Sequence, residues 1–182
     1  KRQIIGARGG YSSVEEVVIH DSSIRLNDEY TYNYCTIGGG TNGSFGSIDI
    51  QNSQIHIPSS GGNTAIGNGW QVYYNRESRI RIANSEVSVR CASLGPAIGA
   101  AWDSGSGRIN IIIENSTVTA KGGNLRTDGN YVPGIGKNAL GRAPEIGIQI
   151  LNSTVDSFRL TEKGGTDYVY DDLHTKELPG IP

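Results

Sequence analysis

The sequence predicts an all-β fold, a right-handed parallel β-helix of about five three-strand coils. Three observations predict it: two anchors that recur in constant order, an apolar period of two within them, and an unusual composition. The 182 residues include 26 Gly but only two Phe, two Trp and no Met, with 36% hydrophobic residues. Such a chain lacks the bulky side chains of a large globular core. It has what a narrow, layered one needs, with Ile and Val stacked inside and Gly and Asn at the corners.

The first anchor is Ile-Gly, at Ile5, Ile37, Ile66, Ile98 and Ile135, with spacings of 32, 29, 32 and 37 residues. The second reads VVIHDSSIRL from Val17, IDIQNSQIHI from Ile48, IRIANSEVSV from Ile80, IIIENSTVTA from Ile111 and IQILNSTVDS from Ile148. Coils therefore begin near residues 5, 37, 66, 98 and 135 and fill residues 1–157. Residues 158–182, polar and without the period, are expected to form a C-terminal cap or tail.

Each element follows from local pattern. Ile48 and Ile50 alternate with Asp49 and Gln51, the period of a strand with one buried face. Asn52 keeps the parity of Ile50, so its side chain is expected inward, as are Asp21, Asn84, Asn115 and Asn152. Stacked inward amides would satisfy one another at a corner. A second strand follows with shifted parity at Ile55 and Ile57, then a loop, then a short third strand at Ile-Gly. The glycine suits a tight bend or close packing. A helix is excluded by the period of two, the β-branched residues and the Gly in every unit. An antiparallel sandwich would not demand the same side chain at the same corner five times. At about 4.8 Å per coil the stack is about 24 Å tall, and its open ends need covering.

The formal net charge of −2 excludes the basic footprint of a nucleic-acid binder. No apolar run approaches membrane-spanning length, and no signal peptide is visible. The lack of Met and the closeness of Lys1 to the first repeat predict part of a longer polypeptide. Cys35 and Cys91 are too few for a disulfide framework and occupy different positions in non-adjacent repeats, so two thiols are expected.

The Ile37 to Gly40 segment and the Ile-x-Asn-Ser-x-Val units resemble glycine-rich repeats of secreted or surface-anchored bacterial β-helix proteins. They are similar to the non-catalytic, carbohydrate-binding relatives of the pectate-lyase-like superfamily. The resemblance runs from Ile4 to Val155 and implies an extracellular or cell-surface setting with a polysaccharide or glycan as partner. It carries over no catalytic residue.

Aromatic side chains supply the ligand-binding candidates. Trp70 and Trp102 each fall four residues after the Ile of consecutive Ile-Gly anchors, which stacks them on one face, and Tyr73 and Tyr74 follow Trp70. Indole and phenol rings offer apolar faces for sugar rings, although both Trp also suit plain corner packing. Tyr30, Tyr32 and Tyr34 alternate in one loop, a pattern shared by an extra exposed strand. Asp128 and Tyr131 lie on the insertion that lengthens the fourth repeat. Both loops are expected to protrude at one edge, where repeat proteins gather binding residues.

Carboxylates are scattered. Outward columns of the strand before the corner read Val18, Asp49, Arg81, Ile112, Gln149 and His20, Gln51, Ala83, Glu114, Leu151. Neither column puts two carboxylates side by side, as a calcium-dependent lyase would need. Asp49 and Arg81 are expected to form a surface ion pair. The column after the corner reads Arg25, His56, Ser88, Thr119, Asp156, with His56 at the surface. No catalytic residue and no cofactor are assigned. Calcium is left open, with Asp167, Asp171 and Asp172 of the tail as the candidate cation ligands, where a solvated turn is the simpler reading. The sequons at Asn42, Asn115 and Asn152 are taken as accidental; Asn115 and Asn152 are inward corner residues, where a glycan would break the ladder. The function expected is a non-catalytic glycan-binding or adhesion module. The alternatives are a polysaccharide lyase or hydrolase of the pectate-lyase-like type, and a structural spacer of a larger surface protein.

Overall fold

The structure, a computed structural model, describes residues 5–7, 11–26, 35–60, 64–70, 76–92, 95–101, 103–105, 107–123, 132–138, 144–157, 160–164 and 167–170. No helix occurs among them. The first coil holds β1 (Ile5–Ala7), β2 (Ser13–His20) and β3 (Ser23–Arg25). The second holds β4 (Ile37–Gly39), β5 (Ser44–Gln51) and β6 (Gln54–Ser60), and the third β7 (Ile66–Asn68), β8 (Arg76–Ala83) and β9 (Glu86–Cys91). The fourth holds β10 (Ile98–Ala100), β11 (Gly107–Glu114) and β12 (Thr117–Lys121), and the fifth β13 (Ile135–Lys137), β14 (Glu145–Leu151) and β15 (Thr154–Ser157). A hairpin of β16 (Leu160–Gly164) and β17 (Asp167–Tyr170) follows.

Three parallel sheets result: β1-β4-β7-β10-β13, β2-β5-β8-β11-β14, and β3-β6-β9-β12-β15. The chain is a right-handed parallel β-helix of five coils. Its register is the one the anchors demand, with Ile5 beside Ile37, Ile66, Ile98 and Ile135 in turn. At the second sheet's last strand, β17 pairs antiparallel with β14, placing Tyr168 opposite Ile148 and Asp167 opposite Gln149.

Between the sheets lies a column of branched aliphatic side chains. Ile37, Ile66, Ile98 and Ile135 from the first sheet, and Ile50, Ile82 and Ile113 from the second, are all fully buried. Ile55, Val87 and Val118 close the third side. Full burial of such a side chain is worth about 1.5–3 kcal/mol, so like-on-like stacking of Ile is the main stabilising term. In the end coils Ile5, Ile24, Ile146 and Val155 are only half-buried, because each lacks a coil on one side.

The Ile-Gly glycines all adopt positive φ, from 121° at Gly6 to 143° at Gly136. A Cβ on Gly67 would sit 2.0 Å from the carbonyl oxygen of Gly99 in the next coil. Both backbone conformation and coil spacing therefore require glycine there.

The corner departs from expectation. Asp21, Asn52, Asn84, Asn115 and Asn152 have φ between 47° and 49°, and all five are exposed. A left-handed residue reverses the alternation at its own position, so the amide turns outward and the following serine turns inward. Asn and Asp tolerate that conformation better than other residues with a Cβ. The inward amide ladder is thus replaced by a serine ladder. The Ser53 N–H donates to Ser85 Oγ at 3.0 Å, Ser85 N–H to Ser116 Oγ at 3.0 Å, and Ser116 N–H to Ser153 Oγ at 3.0 Å. Each hydroxyl then donates to the carbonyl two residues back, as Ser85 does to Ala83 at 2.6 Å. The steric objection to glycans at Asn115 and Asn152 falls with the inward amides, since both side chains face solvent.

This arrangement has a measurable consequence. Ser85→Ala removes the acceptor of the buried Ser53 N–H and should cost about 1–3 kcal/mol in denaturant unfolding. Asn84→Gly should cost only a few tenths of that, since glycine accepts the same φ. The opposite ranking would restore the amide as the structural residue.

Candidate functional site

Two polar surfaces flank the corner, and they differ in whether their side chains are already engaged. On the outer face of the second sheet the columns pair as the sequence indicates, with Asp49 beside Arg81 and Glu114 beside Ala83. The expected ion pair forms, with Arg81 Nη1 3.3 Å from Asp49 Oδ1. The guanidinium also reaches diagonally to the next coil, where its Nε donates to Glu114 Oε1 at 2.6 Å and its Nη2 contacts the same oxygen. Gln51 Nε2 donates to Asp49 Oδ2 at 2.9 Å, and His20 Nε2 lies 3.6 Å from that oxygen. Column-by-column reading missed Glu114 because an arginine spans both a strand spacing and a two-residue step. The two carboxylates are thereby held by one cation. Among the described residues no three His, Cys, Asp or Glu side chains gather as metal ligands.

Along the corner itself the side chains are not engaged in this way. A shallow, open groove of about 420 Å³ is lined by Asn52, Gln54, Asn84, Glu86, Asn115 and Thr117, with Ser53 and Ser85 at its floor. The serines are spent on the ladder and seal that floor. Asn52 Nδ2 donates to Asp21 Oδ1 at 3.1 Å. The side chains of Gln54, Asn84, Glu86, Asn115 and Thr117 take no partner among the described residues. Their Cα positions are locked by parallel pairing, Gln54 beside Glu86 and Glu86 beside Thr117. The result is two parallel rows of amide, carboxylate and hydroxyl groups, repeating at one strand spacing of about 4.8 Å. A second hollow of about 170 Å³ adjoins it on the third sheet, where His56 is half-buried beside Arg25, Glu86 and Ser88.

The aromatic candidates are placed only in part. Trp70 is half-buried just past β7, and its carbonyl accepts the Asn42 N–H at 3.0 Å. The other candidates are Tyr73, Tyr74, Trp102, Tyr30, Tyr32, Tyr34, Asp128 and Tyr131. All eight lie outside the described residues, as do Asp171 and Asp172 of the tail. The signal for the corner groove was nonetheless present in the repeat: the parity break falls on the Asn, which marks that residue as left-handed and its side chain as outward.

Both cysteines are buried thiols. Burial pushes the Cys35 thiol up to about 12, against a hydrogen bond donated by the Thr64 hydroxyl, which favours the thiolate. A thiol held in that state is packing, not a nucleophile.

Comparison with family models, with curated proteins and with solved structures gives no match to this chain.

Proposed function

We propose that this chain is a non-catalytic module that binds a polysaccharide or glycan, at a cell surface or outside the cell, through the corner groove. One observation carries the reading: a rigid parallel scaffold holds five polar side chains along one groove with no partner among the described residues. Amides, hydroxyls and carboxylates are the groups that hydrogen-bond sugar hydroxyls, and the fixed backbone keeps the ordering cost of binding low. The resemblance of the repeats to those of carbohydrate-binding β-helix proteins supports the same setting. A lyase or hydrolase has less support, because Asp49 and Glu114 are both committed to Arg81.

The test is affinity electrophoresis against soluble β-glucan, xylan and mannan. Replacing Asn84 and Asn115 together by Gly removes two amides and keeps both left-handed corners. Each lost hydrogen bond is worth about 0.5–1.5 kcal/mol, so affinity should fall about fivefold or more with the melting temperature nearly unchanged. If Trp70→Ala abolishes binding and the double variant does not, the site belongs to the aromatic corner instead.

A further inference from the structure

We infer that the corner groove selects uncharged, hydroxyl-rich chains over uronic-acid polymers, and that Glu86 sets this preference; the inference rests on the binding role proposed above. Among the described residues lining the groove, Glu86 is the single ionisable side chain, and none of them is a cation. Asp21, hydrogen-bonded to Asn52, adds a second carboxylate at the end of the Asn row. Any ligand carboxylate laid along the groove would meet Glu86 with no cation among the described lining residues to compensate. Arg25 and His56 belong to the adjoining hollow on the third sheet, and Glu86 lines that hollow too. An acid-bearing chain reaching toward them would still pass the Glu86 carboxylate.

The same residue favours hydroxyl donors. A carboxylate is an acceptor with two oxygens, and its hydrogen bonds to hydroxyl groups are charge-assisted and stronger than those of an amide. Glu86 is exposed, and it takes no partner among the described residues. Gln54 and Thr117 sit beside it in register, and the Asn52, Asn84 and Asn115 amides form the parallel row. Because both rows run along the solenoid axis, the ligand they suit is an extended chain parallel to that axis.

The experiment measures affinity for a neutral β-glucan and for polygalacturonate, at low and at moderate salt, with the parent, Glu86→Gln and Glu86→Lys. Gln is already accepted at the equivalent place one coil earlier, by Gln54, so the fold tolerates it. The parent should prefer the neutral polymer by at least tenfold at low salt, and the preference should shrink as salt screens the carboxylates. Glu86→Gln should cut that ratio severalfold, and Glu86→Lys should invert it. A parent that binds polygalacturonate as well as the neutral chain, or a ratio unmoved in both variants, overturns the inference and leaves glycan binding standing. Failure to bind either polymer, or the wider panel above, overturns the binding role and the inference with it.

Discussion

Gly99→Ala is expected to abolish the folded state. A Cβ at this position would lie 1.9 Å from the carbonyl oxygen of Gly136 and 2.9 Å from its carbonyl carbon, both backbone atoms of the next coil. The residue also has φ of 130°, where an L side chain is strained whatever the space. Relief would require widening the coil spacing, which breaks the hydrogen bonds between β10 and β13. The combined cost should exceed about 4–5 kcal/mol, the range in which single substitutions unfold marginally stable domains. The expected readout is loss of the cooperative thermal transition, or insoluble protein. Gly147→Ala is the matched control, since its Cβ would meet only the ends of the Asn110 and Arg108 side chains at 3.0 and 3.1 Å. That variant should stay within about 0.5 kcal/mol of the parent. A Gly99→Ala protein that melts beside its control would refute the close approach of the coils.

Phe45→Ala should be the costliest of the simple core truncations. Phe45 is fully buried, the largest side chain to be so among the described residues. It faces inward although Ser47 and Asp49, two and four residues later, are only partly buried, so the alternation breaks around Gly46. Its carbonyl accepts the Ser78 hydroxyl at 2.8 Å, which ties that irregular stretch to the next coil. Removing the ring leaves a cavity that the stacked Ile column fills poorly, and the loss should be about 3–5 kcal/mol. Phe45→Leu, which keeps most of the volume, should lose less than half of that. Urea unfolding separates the cases, with a lowered midpoint and an unchanged slope for both variants. A Phe45→Ala midpoint equal to the parent's would mean that the ring is not part of the core.

The repeat carried the solenoid, and its physical basis explains why so much was legible. In parallel stacking each residue sits on its equivalent one coil away, so anchor spacings are register. That is why Val18, Asp49, Arg81, Ile112 and Gln149, aligned on paper, are aligned in space. The burial of Ile48, Ile50, Ile80 and Ile82 followed from the period of two by the same logic.

What the tertiary structure decided were the places where a side chain leaves its own column or the backbone leaves the strand. Alternation assumes extended φ, and one left-handed residue reverses it, so Asn52 and Asn84 turned outward and Ser53 and Ser85 became the buried ladder. Arg81 reached Glu114 because a guanidinium spans a diagonal that no single column displays. Phe45 entered the core through a break in alternation at a Gly-Ser step. The corner groove depends on the first of these reversals. The Asn84 and Asn115 amides have no partner among the described residues because the serines, not the asparagines, satisfy the buried backbone, and that division of labour is settled by backbone conformation rather than by residue type.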